Sequence, residues 1–195
     1  MAKQKNSNSN AEKSGDTKVI VIIALKLFAI STVTALLLAG VNALTAAKIE
    51  SNTRAEKAAA ISEIFAGDVE STVYDAVAGG ITELYTVSEG DSVIGYAAEV
   101  SPLGFGGAMT VMVGVNADGT LAGIKLISHS ETPGLGSRVG EAQYLAQYIG
   151  KGAETLNGGI DIITGSTISS KAILEGVNTA LTAHHTVFPA DGGAQ

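Results

Sequence analysis

The chain has no cysteine anywhere in its 195 residues. That excludes a disulfide framework, a cysteine-held iron–sulfur cluster and any thiolate metal site, so redox chemistry in this chain would have to be carried by an organic cofactor. The three histidines, His129, His184 and His185, are too few and too poorly placed for a metal cluster. Basic residues are in deficit: 12 Lys and Arg against 19 Asp and Glu give a net charge of −7 and a pI near 4.9. A nucleic-acid partner would want a basic face, so none is expected. There is no Ser-His-Asp spacing, no Gly-x-Ser-x-Gly elbow and no Walker loop, and with them go the common hydrolase readings. Charge of either sign is scarce, at 16 % against 46 % hydrophobic residues, and the mean hydropathy of +0.30 is high for a wholly soluble protein.

What the sequence does have is one long apolar run. Residues 19–41 read Val-Ile-Val-Ile-Ile-Ala-Leu, then Lys26, then Leu-Phe-Ala-Ile and onward to Leu36-Leu37-Leu38-Ala39. A bilayer core needs about 20 such residues in a helix, and Lys26 can snorkel on its long stem or face a neighbouring helix. Val41-Asn42-Ala43 would pass as a signal-peptidase site, but the run is longer than a signal peptide's apolar region, which predicts an uncleaved transmembrane anchor. Residues 1–18 before it are polar and without hydrophobic period, and are expected to be a disordered leader. Lys3, Lys5, Lys13 and Lys18 precede the span and Lys48, Arg54 and Lys57 follow it, a weak bias toward an N-terminus inside. Ala35, Ala39 and Gly40 supply small residues for packing on other membrane helices.

Beyond the span, 195 residues leave room for one domain of ordinary size. Residues 42–80 are expected as a linker helix and the approach to the domain, with breaks at Gly67-Asp68 and Gly79-Gly80. From Ile81 the pattern turns to strands. Leu84-Tyr85-Thr86-Val87 and Val93-Ile94-Gly95-Tyr96-Ala97 flank Ser88-Glu89-Gly90-Asp91, and residues 109–115 and 121–127 flank Asn116-Ala117-Asp118-Gly119-Thr120. Both read as hairpins. Val111, Val113 and Val115 alternate with Met112 and Gly114, which predicts a strand buried on both faces. A glycine-rich loop at 102–107 separates the hairpins. Residues 139–149 read as a short helix with Tyr144, Leu145 and Tyr148 on one side, and 168–184 as a last helix with Ile173, Val177, Ala180 and Leu181 inward. The prediction is an α+β chain: one N-terminal transmembrane helix, then at 81–188 a domain built on an antiparallel sheet of hairpins with flanking helices, then a frayed tail at 189–195.

Two stretches carry chemistry. In Asp161-Ile162-Ile163-Thr164-Gly165-Ser166-Thr167-Ile168-Ser169-Ser170, hydroxyls and a glycine stand where a short apolar run gives way to a helical pattern. A strand-to-helix turn leaves unpaired N–H groups and a positive dipole end facing one spot, which suits a phosphate. Taken alone, capping by Thr164, Ser166 or Thr167 is the commoner meaning of such a stretch. The second is His129-Ser130-Glu131-Thr132-Pro133-Gly134-Leu135-Gly136. There Pro133 stiffens a loop, Gly134 and Gly136 open it to close approach, Leu135 offers an apolar contact and Thr132 a hydrogen bond; taken alone it is an ordinary Pro-Gly turn. His129 is expected as a strand-end residue with a satisfied side chain, Tyr144 and Tyr148 as helix packing, and Lys171 as solvated.

Together the two motifs resemble the FMN-binding domain family, as it occurs in the RnfG subunits of Rnf-type ion-translocating electron-transport complexes. The same two motifs are shared by a subunit of the Na⁺-translocating NADH:quinone reductase. The resemblance covers most of residues 20–181, including Val41-Asn42-x-Leu44-Thr45 after the span, and the little inserted between anchor and hairpins favours the Rnf form. It implies FMN esterified through its phosphate to the last threonine of Asp161-x-x-Thr164-Gly165-Ser166-Thr167, namely Thr167. It further implies that Asp161, Thr164, Gly165, Ser166 and Thr167 are the recognition signature of a flavin transferase. Thr164, Gly165, Ser166, Ile168 and Ser169 would then surround the phosphate, and Glu131, Thr132, Gly134 and Leu135 the ring. The chain departs from the family in Ser166, where alanine is usual, and Ser169, where threonine is common. The implied partners are the other subunits of an Rnf-type complex, the transferase and the lipid bilayer. The implied topology is single-pass in the cell (inner) membrane, N-terminus cytoplasmic and domain outside. The implied role is a one-electron relay between ferredoxin and NAD coupled to Na⁺ or H⁺ movement, with no turnover of its own. An anchored non-redox binding domain, in which Thr167 is only a cap, is the reading of another class.

Overall fold

A computed structural model of the chain describes residues 8–65, 70–73, 79–156 and 158–188. They fall into two compact units, Met1–Asn52 and Thr53–Gln195. The break expected at Gly67-Asp68 and the tail at 189–195 lie outside the described residues, as does residue 157.

The first unit is helical. Helix α1 (Asn8–Phe65) begins inside the segment expected as a leader and continues without a break to the residues of the second unit. Every described side chain from 18 to 52 is exposed, apolar or not. The mean hydropathy reaches 2.5 in the most apolar window, a helix long and apolar enough to cross a membrane. At 1.5 Å per residue, the apolar run at 19–41 extends about 35 Å, enough for a hydrocarbon core. Its two threonine hydroxyls are satisfied within the helix: Thr32 Oγ1 donates to the Phe28 carbonyl at 2.8 Å and Thr34 Oγ1 to Ile30 at 3.0 Å. An apolar solvent demands that arrangement.

The second unit opens with α1 from Thr53 to Phe65 and then forms a five-stranded antiparallel sheet in simple meander order: β1 (Glu70–Val73), β2 (Ile81–Glu89), β3 (Ser92–Val100), β4 (Thr110–Asn116) and β5 (Leu121–Ser128). Both expected hairpins are present. Gly90-Asp91 joins β2 to β3, with Gly90 at φ +61, and the 117–120 turn joins β4 to β5, with Gly119 at φ +82. In the second turn, Asp118 Oδ1 accepts from the Thr120 amide and hydroxyl at 2.9 and 2.6 Å, the local bonding that makes such residues turn formers. β1 was not expected. It pairs with β2 along Glu70↔Ser88 to Val73↔Tyr85 and forms one edge of the sheet.

The front face carries the larger core. Leu84, Tyr96, Val111, Val113 and Val115 pack there against helix α4 (Thr167–Thr182), through Ile173, Val177, Ala180 and Leu181. These are the inward residues that the helical period predicts. Tyr96, fully buried, donates its hydroxyl to the Ala180 carbonyl at 2.9 Å. Gly176 lets α4 approach β3: a Cβ there would stand 3.1 Å from both Pro102 and Val100. The 139–149 segment is not one helix but a 3₁₀ turn (Gly136–Gly140), a single α turn α2 (Ala142–Leu145) and a second 3₁₀ turn (Ala146–Tyr148). Glu141 between the first two is extended, at φ −66 and ψ 135, and Gly140 beside it packs on Leu126 so closely that a Cβ would fall 2.7 Å from the leucine. Contact with β5, not helical propensity, decides this stretch. Helix α3 (Ala153–Leu156) follows, and after α4 the chain makes one more turn, α5 (His184–Val187).

The back face is covered by α1. Ala60, Ile61, Ile64 and Phe65 lie over Val87, Ala97 and Met112. Three strand glycines make room: a Cβ on Gly114 would fall 2.3 Å from Ile64, on Gly123 3.3 Å from Ile64, and on Gly95 2.9 Å from Phe65. Burial of β4 on both faces, expected from its alternation, is therefore real.

Candidate functional site

Helix α4 begins at Thr167, and its first turn lacks the usual cap. Ser166 occupies the N-cap position, yet its side chain makes no capping bond. It is 4 % exposed, and its Oγ has no hydrogen-bond partner among the described residues. The Ser166 carbonyl accepts from the Ser170 amide at 2.9 Å, closing the first helical turn, while the amides of Thr167, Ile168 and Ser169 have no acceptor among the described residues. Just ahead, Gly165 turns the chain at φ +84. The Ser166 amide donates to Ile163 at 3.0 Å, and the Ile163 amide donates to the buried Ser170 Oγ at 3.3 Å. The segment is thus held rigidly while Thr164, Thr167 and Ile168 stay exposed. A buried hydroxyl and three N–H groups without partners among the described residues thus stand at the positive end of a 16-residue helix, beside the exposed hydroxyl of Thr167, an arrangement that suits an anion.

Glu131 ties this helix start to the other motif. Its carboxylate is 4 % exposed. Oε2 accepts from Ser169 Oγ at 2.7 Å and Oε1 from the Gly106 amide at 3.0 Å, so one side chain braces the first turn of α4 against the 104–107 loop. Glycines surround that carboxylate because nothing larger fits: a Cβ on Gly104 would lie 2.1 Å from Oε1, and one on Gly136 2.3 Å from Oε2. Within the 131–136 loop, the amides of Leu135 and Ser137 both donate to the Thr132 carbonyl at 3.2 Å, and Gly134 takes φ +74, a conformation that favours glycine. Leu135 lies over Gly165, its Cδ1 within 3.2 Å of where a Cβ would stand. Contacts through Glu131 and Leu135 therefore make one site of the two motifs.

The remaining predicted residues distribute around it. Thr132 and Gly134 are exposed on the loop. Asp161 is pinned by its backbone, its amide donating to Gln147 Oε1 at 2.7 Å and its carbonyl accepting from Gln147 Nε2 at 3.4 Å, which leaves the residue on the surface. His129 Nδ1 accepts from the Glu131 amide at 3.2 Å, a satisfied strand-end histidine. Tyr144 and Tyr148 are buried, their hydroxyls 3.2 Å apart, and burial with that bond pushes the Tyr148 phenol well above the ordinary tyrosine range; both belong to the core. Sequence reasoning missed Ser166 as a buried, unpartnered hydroxyl and Glu131 as a brace, since both depend on which surfaces close over them. Gly104 and Gly106 were a partial signal, as closely spaced glycines often mark close backbone approach.

The FMN-binding domain model matches residues 104–182, and the RnfG N-terminal region model matches residues 14–64. The RnfG subunit of the Na⁺-translocating ferredoxin:NAD⁺ oxidoreductase complex of Acetobacterium woodii is 37 % identical over 191 residues, covering 85 % of this chain and 92 % of that one. Its counterpart in the ion-translocating oxidoreductase complex of Methanosarcina acetivorans is 31 % identical over 178 residues, covering 85 % of this chain and 95 % of its own length. A shorter match, 33 % over 110 residues, 52 % of this chain and 60 % of the relative, is to the same subunit of the proton-translocating ferredoxin:NAD⁺ oxidoreductase complex of Clostridium ljungdahlii. The quinone-reductase alternative is not supported by any of these. An apolar anchor helix, a five-stranded FMN-binding domain and similarity running through both together place the chain in the RnfG family, subunits of the Rnf-type ion-translocating oxidoreductase complexes.

Proposed function

We propose that this chain is a membrane-anchored electron-transfer subunit carrying FMN as a phosphoester on Thr167, within a complex that moves electrons between ferredoxin and NAD and couples them to Na⁺ or H⁺ translocation. The observation that carries the site assignment is the start of α4: an exposed Thr167 hydroxyl beside three unpaired amides and the buried, unpartnered Ser166 Oγ. The residues fit the phosphate of FMN. FMN, when bound, supplies the electron-carrying chemistry, and the chain supplies position and electrostatics. Thr167 Oγ1 holds the phosphorus through an ester bond. The amides of Thr167, Ile168 and Ser169, with the helix dipole, balance the single negative charge that a phosphodiester retains. Ser166 adds a hydroxyl donor at the same place. Glu131 stays clear of that role, because both its oxygens are taken up by Ser169 and Gly106. Thr132, Gly134 and Leu135 offer the ring a hydrogen bond, close backbone approach and an apolar surface.

The flavin transferase reads Asp161, Thr164, Gly165, Ser166 and Thr167 during maturation. The surface position of Asp161, Thr164, Gly165 and Thr167 supports access by a second enzyme. The domain lies on the outer side of the cell membrane with the N-terminus in the cytoplasm; a dissociable flavin would be lost there, and a covalent one is not. Electron tunnelling weakens steeply with distance, so the anchor also keeps the site near its membrane-embedded partners, with Ala35, Ala39 and Gly40 as the packing face. Denaturing electrophoresis under ultraviolet light, after co-expression with a flavin transferase, separates this reading from an anchored binding domain. A fluorescent band is expected for the full chain and for Ser166→Ala, which puts in place the alanine usual in the family, but not for Thr167→Ala. A dark band from the unaltered chain refutes it.

A further inference from the structure

The loop between β3 and β4 holds two large apolar side chains in water although it is rigid enough to have buried them. Leu103 is 74 % and Phe105 72 % exposed. The backbone around them is cross-braced: the Gly104 amide donates to the Gly107 carbonyl at 2.9 Å, the Met109 amide to Pro102 at 3.0 Å, and the Gly106 amide to Glu131 Oε1 at 3.0 Å. The glycines on either side of Phe105 are clamped as well, since a Cβ on Gly104 would fall 2.1 Å from Glu131 Oε1 and one on Gly106 2.1 Å from the Ser130 carbonyl. Isolated surface leucines need no explanation. This pair differs, because the carboxylate that fixes its loop also accepts from Ser169, two positions beyond Thr167. Two more exposed apolar side chains belong to the same assembly: Leu135, which rests on Gly165, and Ile168, next to Thr167.

We propose that Phe105 is the aromatic contact for the isoalloxazine ring tethered at Thr167, with Leu103, Leu135 and Ile168 as its apolar surroundings. This rests on the covalent-FMN reading above. An isoalloxazine is flat, with an apolar dimethylbenzene end, and an aromatic side chain offers it an offset-stacked or edge contact that an aliphatic one does not. The four side chains lie on segments tied to the start of α4, the 104–107 loop through Glu131 and the 131–136 loop through Glu131 and the contact of Leu135 with Gly165. Glu131 is the positioning residue that sets loop and attachment helix in register.

The test uses the flavinylated full chain in detergent, with intact mass establishing one FMN per chain in each variant. A tyrosine in contact with an excited flavin quenches its emission by electron transfer, whereas a phenylalanine does not. Phe105→Tyr is therefore expected to lower the emission per bound flavin several-fold, and Phe105→Ala to make the flavin more accessible to quenching by iodide. Leu103→Ala is expected to change iodide access less. Emission from Phe105→Tyr equal to that of the unaltered chain, with equal iodide quenching in the unaltered chain and Phe105→Ala and FMN present in all three, overturns the contact while leaving the attachment standing. The same equality together with a change in oligomeric state in Phe105→Ala assigns the patch to a second copy and also overturns it. An unaltered chain without FMN removes the attachment itself, and the ring contact with it.

Discussion

Glu83 on β2 and Glu99 on β3 are direct cross-strand partners, a placement that destabilises a sheet unless a cation comes between them. Lys57 of α1 does so, with Nζ 2.9 Å from Glu83 Oε2 and 2.7 Å from Glu99 Oε2. The Tyr85 hydroxyl donates to the same Glu83 carboxylate. That bond first, and the one from Lys57 second, hold the Glu83 carboxyl below its ordinary value of 4.5, while burial, then the bond to Glu83, pushes the Tyr85 phenol up to about 12. A carboxylate whose pKa is depressed by folding contributes stability that is complete above its unfolded value and is lost as pH falls through the folded one. Tyr85→Phe removes the largest cause. It should lower stability at neutral pH by no more than about 1 kcal/mol, because the Glu83 side chain is 40 % exposed and solvent screens the cluster. Urea unfolding of the full chain in detergent should show that gap narrowing as pH is lowered to about 3; a gap unchanged with pH contradicts the assignment. The cluster was invisible in the sequence, since strand register and helix docking create it. The stretches at 161–170 and 131–136 could be singled out because their peculiarity is local: hydroxyls at a helix start, and glycines around a proline. That they meet through a buried Glu131 could not be read there, because its burial depends on α4 and the 104–107 loop closing over it.

Among the elements, those with local causes were legible. Both hairpins follow from turn residues between alternating runs, and the inward face of α4 follows from its helical period. What the sequence concealed had tertiary causes. β1 is four residues long, too short for a period of two to register, and it exists because β2 offers it an edge. The 139–149 segment has its apolar residues on one side, as a helix would, yet Gly140 against Leu126 and the extended Glu141 divide it. The strand glycines are the intermediate case. Glycine inside a strand signals close approach, but only the structure shows that α1 is what approaches. The same geometry ranks their tolerance of substitution. A Cβ on Gly95 meets the Val115 carbonyl at 2.3 Å, a backbone atom that cannot swing aside, whereas one on Gly123 meets Ile64 Cγ2 at 3.3 Å. Gly95→Ala should therefore cost about 1–3 kcal/mol and Gly123→Ala well under about 1 kcal/mol by urea unfolding. Equal costs would mean that backbone crowding does not set the requirement at Gly95.

At the scale of the whole molecule, the chain joins a helix long and apolar enough to cross a membrane to a domain in which one long helix starts without a side-chain cap. The anchor was the most legible feature, because an apolar run of that length has few other uses; the start of α1 at Asn8 was not, since the polar residues there have no hydrophobic period to announce a helix. The family assignment explains why both parts occur in one chain: an electron carrier in a membrane complex has to be held in place as well as charged with its cofactor. The central claim is the ester bond between the chain and its flavin at Thr167. The most direct measurement is the intact mass of the full chain, extracted from membranes after co-expression with a flavin transferase. The prediction is the chain plus one FMN less one water, an increment absent from Thr167→Ala and retained by Ser166→Ala. An unmodified mass for the parent chain, or an increment that survives Thr167→Ala, contradicts the account.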